Sequence, residues 1–164
     1  MARTLRQQIN KRSPFASQEE EAMLNIQRTA AHLSGAEVAF FKRRGLTPAA
    51  YNLLRILRGR RARGQKQGVR ASKIGCEMVV RMPDVTRLID RLERDGLVTR
   101  STDEADRRVK FVRITDEGLA LLARLDPEVV NLGCEQLGHM SKAQLGELSR
   151  LLELARNEGG SDEA

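Results

Sequence analysis

The spacing of apolar residues along this chain is helical at both ends and alternates in strand fashion only once. Met23, Ile26, Ala30, Leu33 and Phe40 fall on one face of a helix. Ser17-Gln-Glu-Glu20 has the form of a capping box and Gly45 that of a stop, so one long helix is predicted over 17–44. Thr47-Pro48 then gives an N-cap followed by proline at the first helical position. Leu53, Leu54 and Leu57 form the apolar side of this second helix, which is expected to end near Gly59. The Arg-, Gln- and Gly-rich stretch 60–68 reads as a loop or a frayed helix end.

The middle of the chain is more finely divided. A short helix over 72–78 and a turn over 79–82 lead to a helix over 83–95, whose buried side is Val85, Leu88, Ile89 and Leu92. Asp95-Gly96 ends it. Residues 97–100 are β-like, 101–107 carry a turn signature, and Val109, Phe111, Val112 and Ile114 nearly alternate. These runs predict a two-stranded hairpin. Thr115-Asp-Glu117 caps a further helix through Leu119, Leu122 and Leu125, with Pro127 expected to kink it before it resumes over 129–137. Ser141 and Gln144 form a second capping box, ahead of a last helix faced by Leu145, Leu148, Leu152 and Ala155. The tail beyond Asn157 is expected to fray. No internal repeat is found.

Charge sharpens this picture. The 164 residues contain 29 Lys and Arg against 22 Asp and Glu, a net charge of +7 that suits a polyanionic partner. The excess is concentrated: Arg58, Arg60, Arg61, Arg63, Lys66, Arg70 and Lys73 follow one another with no acidic residue between them. No apolar run is long enough for a membrane span, and the polar amino terminus lacks the apolar segment of a secretory signal, so a cytoplasmic location is expected. Cys76 and Cys134 have no Cys or His at metal spacing and read as inert buried residues. His32 and His139 stand near no nucleophile, and there is no phosphate-binding glycine loop. No catalytic residue, metal or cofactor is expected.

From Thr47 to Thr115 the order is helix, short helix, turn, helix, hairpin: a helix-turn-helix followed by a wing. In such units the second helix of the turn motif enters the DNA major groove. The polar face of the 83–95 helix carries Asp84, Thr86, Arg87 and Arg91, with Arg81 and Pro83 just ahead. An arginine fork can pair with guanine or clamp a phosphate. The plainer reading is a solvated face with ion pairs such as Arg87–Asp90 or Arg91–Asp95.

Three segments are distinctive: Leu53–Leu57 (LLRIL), the passage PDVTRLIDRLERDGLV from Pro83 to Val98, and DRRVKFVRITDEG from Asp106 to Gly118. In these segments the chain resembles the MarR family of bacterial transcription regulators. The resemblance covers about 17–156. It implies a mainly α fold with a small β-hairpin, a winged helix-turn-helix flanked by N- and C-terminal dimerisation helices. The corresponding division is 1–46, 47–116 and 117–164. It also implies a homodimer that binds double-stranded DNA at a pseudo-palindromic operator, as a repressor responsive to a small aromatic effector. In the wing, Asp106 and Arg108 match a recurrent Asp-x-Arg pair, and Arg107 and Arg108 are the candidate groove-binding cations. His32, Phe40, Phe41, Tyr51 and Leu54 are the candidate effector pocket. The chain departs from the family in the turn, where Val79 and Arg81 replace the common Gly and Ser. Two rival classes remain: a winged-helix protein-interaction module, and an RNA binder, which the 3% aromatic content disfavours.

Overall fold

The structure is a computed structural model that describes residues 3–65, 67–103 and 106–157. Helix α1 (Leu5–Gln8) is followed by α2 (Gln18–Lys42), α3 (Pro48–Ala62), strand β1 (Val69–Arg70), α4 (Ala71–Glu77), α5 (Val85–Arg94), β2 (Val98–Thr102), β3 (Lys110–Ile114), α6 (Asp116–Leu137) and α7 (Lys142–Arg156). The chain divides into two compact units, 1–124 and 125–164. Among the described residues, no helix is long and apolar enough to cross a membrane.

The cap chemistry explains most helix limits. Ser17, Thr47 and Ser141 each accept a backbone N–H from the residue three places on. At Ser141 the box is reciprocal, with the Gln144 side chain accepting the Ser141 N–H at 2.9 Å. At Ser17 it is half formed, because the Glu20 carboxylate takes the Ala16 N–H instead. Helix α3 continues past Gly59 to Ala62, so the first turn of the expected 60–68 loop is helical. Lys66 of that loop, Glu104 and Ala105 of the wing turn and the tail 158–164 lie outside the described residues. Helix α6 runs from Asp116 to Leu137 with Pro127 inside it, so the helix resumes beyond the proline to Leu137. The missing Pro127 N–H costs one i→i−4 bond without ending the helix.

In the first unit the predicted hairpin forms, and β1 joins it as a third strand in the order β1-β3-β2, all antiparallel. Val98 faces Ile114 and Arg100 faces Val112 on one side of β3, while Val69 faces Val112 on the other. Leu53, Leu54 and Leu57 of α3, Ile74 of α4, Leu88, Ile89 and Leu92 of α5, and Val98, Val112 and Ile114 of the sheet are all buried. Phe41 is buried against Phe40 and Tyr51, with ring centroids 5.0 and 4.9 Å away. Two glycines of the DGLV and TDEG segments have backbone reasons. Gly96 takes φ +72° and closes α5. A Cβ on Gly118 would lie 2.5 Å from the Leu97 carbonyl oxygen, so only glycine lets α6 start this close to the end of α5.

Both cysteines are exposed, which corrects the expectation of buried thiols. On α4 the inward position is Ile74, and Cys76, two residues on, points away; Met78, just past the helix, is buried too.

In the second unit α7 has no buried residue: Leu145, Leu148 and Leu152 are half-buried, and Leu151 and Leu154 are exposed. Within the first unit α2 buries only Phe40 and Phe41, leaving Met23, Ile26 and Val38 exposed.

Candidate nucleic-acid interface

Helices α4 and α5 and the turn between them form the helix-turn-helix. The turn uses no left-handed residue: among the described residues, positive φ outside glycine occurs only at Asn10. This is the consequence of Val79 standing where a glycine is common, since a β-branched residue resists positive φ. Met78 is instead extended, and the Val79 N–H donates to Asn52 Oδ1 at 2.9 Å, which fastens the turn to α3.

Asp84 is the N-cap of α5, accepting the Arg87 N–H at 3.0 Å, so Pro83 and Asp84 precede the helix. With Leu88, Ile89 and Leu92 turned inward, Thr86, Arg87 and Arg91 stand on the exposed side, preceded by exposed Arg81, Pro83 and Asp84. The Arg87 side chain is 86% exposed and only loosely paired, its Nε 3.6 Å from Asp84 Oδ2. Such an exposed pair contributes little and is readily exchanged for another anion. Arg91 is more engaged. It donates to the Gly45 carbonyl at 3.0 Å and lies 3.8 Å from Asp95, one of the two ion pairs expected of this face. The other, Arg87–Asp90, is absent because Asp90 bonds Arg100.

Arg100 was not anticipated and is central to the geometry. Rooted on β2, its guanidinium hydrogen-bonds Asp90 and lies 3.5 Å from Glu93, both on α5. Its backbone N–H donates to Glu93 as well, at 3.2 Å. One side chain thus ties α5 to the base of the wing. The available signal was Asp90 and Glu93 one turn apart on α5 with an unassigned arginine in the following strand.

The wing is closed by carboxylates. Asp106 Oδ1 accepts the Arg108 backbone N–H at 2.9 Å, and Asp103 Oδ1 accepts the Asp106 N–H at 3.2 Å. The Asp106–Arg108 relation is therefore an Asx-type turn made through the main chain. Among the described residues neither the Arg107 nor the Arg108 guanidinium has an ion-pair partner, and both side chains are exposed.

Part of the basic stretch is neutralised within the chain. Arg60 pairs with Glu77, whose hydrogen bond and charge raise the arginine's pKa above its ordinary value, and Arg61 lies 3.0 Å from Asp116.

The candidate effector residues divide. Phe40, Phe41, Tyr51 and Leu54 come together in the buried region where α2 meets α3. His32 is exposed on α2, two turns before Phe40, beside a polar cleft with Gln8, Asn25 and Arg28.

This arrangement matches known proteins. The MarR family profile fits residues 46–110, which hold the whole helix-turn-helix and most of the wing. A crystal structure of a MarR transcription factor from Planctomyces limnophilus is 38% identical, covering 86% of this chain and 99% of that one, with a TM-score of 0.66. The chain belongs to the MarR family of transcription regulators. The HTH-type transcriptional regulator YkoM of Bacillus subtilis is 28% identical, with 71% of this chain and 74% of that one covered. The MarR-family regulator Sco3205 of Streptomyces coelicolor, solved in complex with DNA, shares the fold at a TM-score of 0.72. It is 22% identical, with 89% of this chain and 91% of that one covered. MarR proteins are regulators of transcription and not enzymes.

Proposed function

We propose that this MarR-family chain acts as a homodimer that binds a pseudo-palindromic duplex operator and represses transcription by occluding it. Residues 47–116 form the DNA-binding domain, and 1–46 and 117–164 supply dimerisation helices. The reading helix enters the major groove with Thr86 and Arg87 at its leading turn, flanked by Arg81, Pro83 and Asp84. Arg91 braces the helix against Gly45 and meets the backbone. Arg107 and Arg108 reach phosphates or the adjacent minor groove, where narrow A·T stretches attract arginine. A small aromatic effector that releases the DNA would act where α2 meets α3, near Tyr51.

The observation that carries this reading is the set of exposed cations on braced supports. Arg87 is barely paired, Arg107 and Arg108 have no ion pair among the described residues, and Arg100 holds helix and wing in one register. Dimerisation is supported separately by the exposed apolar positions of α2 and of α7.

The test is a gel shift on the DNA upstream of the protein's own gene at several salt concentrations, comparing wild type with Arg87→Ala and Arg108→Ala. The reading expects saturable binding that beats random duplex and falls with salt. Arg87→Ala should cost about 1–3 kcal/mol and relax specificity, and Arg108→Ala should lower the salt slope by about one. Binding no better than to random duplex, with both variants like wild type, would overturn it in favour of a protein-interaction module.

A further inference from the structure

The turn ahead of the reading helix presents two adjacent valines to solvent. Val79 is 86% and Val80 70% exposed, more than the other exposed large apolar residues among those described. Single exposed apolar residues need no explanation. This pair differs in three ways. It is held in place, because the Val79 N–H is bonded to Asn52 and a β-branched side chain has little freedom at χ1. The residue before it, Met78, is buried, so the chain could have turned a neighbour inward and did not. And the pair is bordered by exposed cations: Arg81 follows directly, with no ion pair among the described residues, and Arg87 lies on the first turn of α5.

A rigid apolar knob among unneutralised cations suits a polyanion that also displays apolar groups. In duplex DNA, that group is the C5 methyl of thymine on the major-groove edge. We propose that Val79 and Val80 contact thymine methyl groups beside the bases met by α5, so that this chain selects thymine at one or two positions of each half-site. The inference rests on the DNA-binding reading given above. It assigns a specificity role to the turn, whereas the glycine common at the position of Val79 offers no apolar side chain.

The experiment starts from a duplex selected by the wild-type protein out of a randomised pool. Each thymine is then replaced by deoxyuridine, which removes only the methyl group. At one or two thymines per half-site the wild type should lose about fourfold in affinity per methyl, the equivalent of one buried methyl-sized group. The Val79→Ala, Val80→Ala double variant should bind the thymine duplex correspondingly more weakly and be indifferent to deoxyuridine at those positions. Both valines are exposed, and an unchanged thermal melt will show that the fold survives. Arg87→Ala should bind more weakly yet keep the deoxyuridine sensitivity. Equal deoxyuridine losses in wild type and double variant, or none in either, would overturn the contact while leaving DNA binding intact. If no duplex is enriched, the DNA-binding reading fails, and this inference with it.

Discussion

Helices α5 and α7 are both amphipathic, yet α5 buries Leu88, Ile89 and Leu92 while α7 buries nothing. Helix α2 resembles α7 over most of its length and becomes buried only at Phe40 and Phe41. The periodicity that makes each of these a helix is the same; what differs is whether the chain supplies something to cover the apolar face. For α5 it does: α3, α4 and the sheet close around it. For α7 and most of α2, apolar positions stay exposed or half-buried among the described residues, and under the proposed function a second chain covers them. The winged unit thus reads as a finished core, and the terminal helices as half of one.

This contrast is best broken at the two kinds of apolar position. Leu54, fully buried on α3, should cost about 2–5 kcal/mol when changed to alanine, read as a lower urea midpoint. A much smaller loss would mean that the winged core is looser than its burial indicates. Exposed Ile26 and Leu154 should behave differently. Changing both to glutamate should remove roughly 1.5–3 kcal/mol of association energy per side chain and shift the mass in light scattering toward one chain, while the winged unit keeps its fold. An unchanged mass would show that these faces are not the interface.

Two smaller effects sharpen the picture within each region. Gly118→Ala should destabilise the first unit by about 1–3 kcal/mol, because its Cβ would press on the Leu97 carbonyl; a thermal melt would show it. On α7, the hydrogen bond from Arg150 holds the Glu147 carboxyl below its ordinary pKa of 4.5. The pair's contribution is therefore fully present above that value and is lost as pH falls through the lowered one. Glu147→Gln should remove this small acid-side loss of helicity, measured by circular dichroism. An unaltered acid titration would assign the loss to another group.

The legible parts of the sequence were those with local chemistry. Ser17, Thr47 and Ser141 cap helices through their own side chains, and Gly45 and Gly96 stop them, so the helix order could be read from a few residues each, whereas Asp84, expected on the polar face of a helix opened by Pro83, proves to be that helix's N-cap. The exposed arginines of α5 followed from placing the apolar residues inward, and those of the wing from the resemblance in the Asp106-x-Arg108 pair. Less legible were features set by distant partners. Strand β1 is two residues long in a Gly- and Arg-rich stretch and exists only because β3 has a free edge. Helix α1 is a single turn whose one buried residue is Leu5. The Arg100 bridge joins residues 7–10 positions apart through tertiary geometry. The exposure of Cys76 follows from α4 turning Ile74 inward, which leaves the position two residues on facing away.

Under the proposed function, the winged unit reads DNA and the chain binds it as two copies. Sedimentation velocity of the protein with its own upstream DNA tests this directly, read beside the same run with the Ile26→Glu, Leu154→Glu variant. The account predicts two wild-type chains per duplex and a variant that sediments alone and binds the duplex weakly. A wild-type complex with one chain per duplex, or a variant that still assembles two, would contradict it.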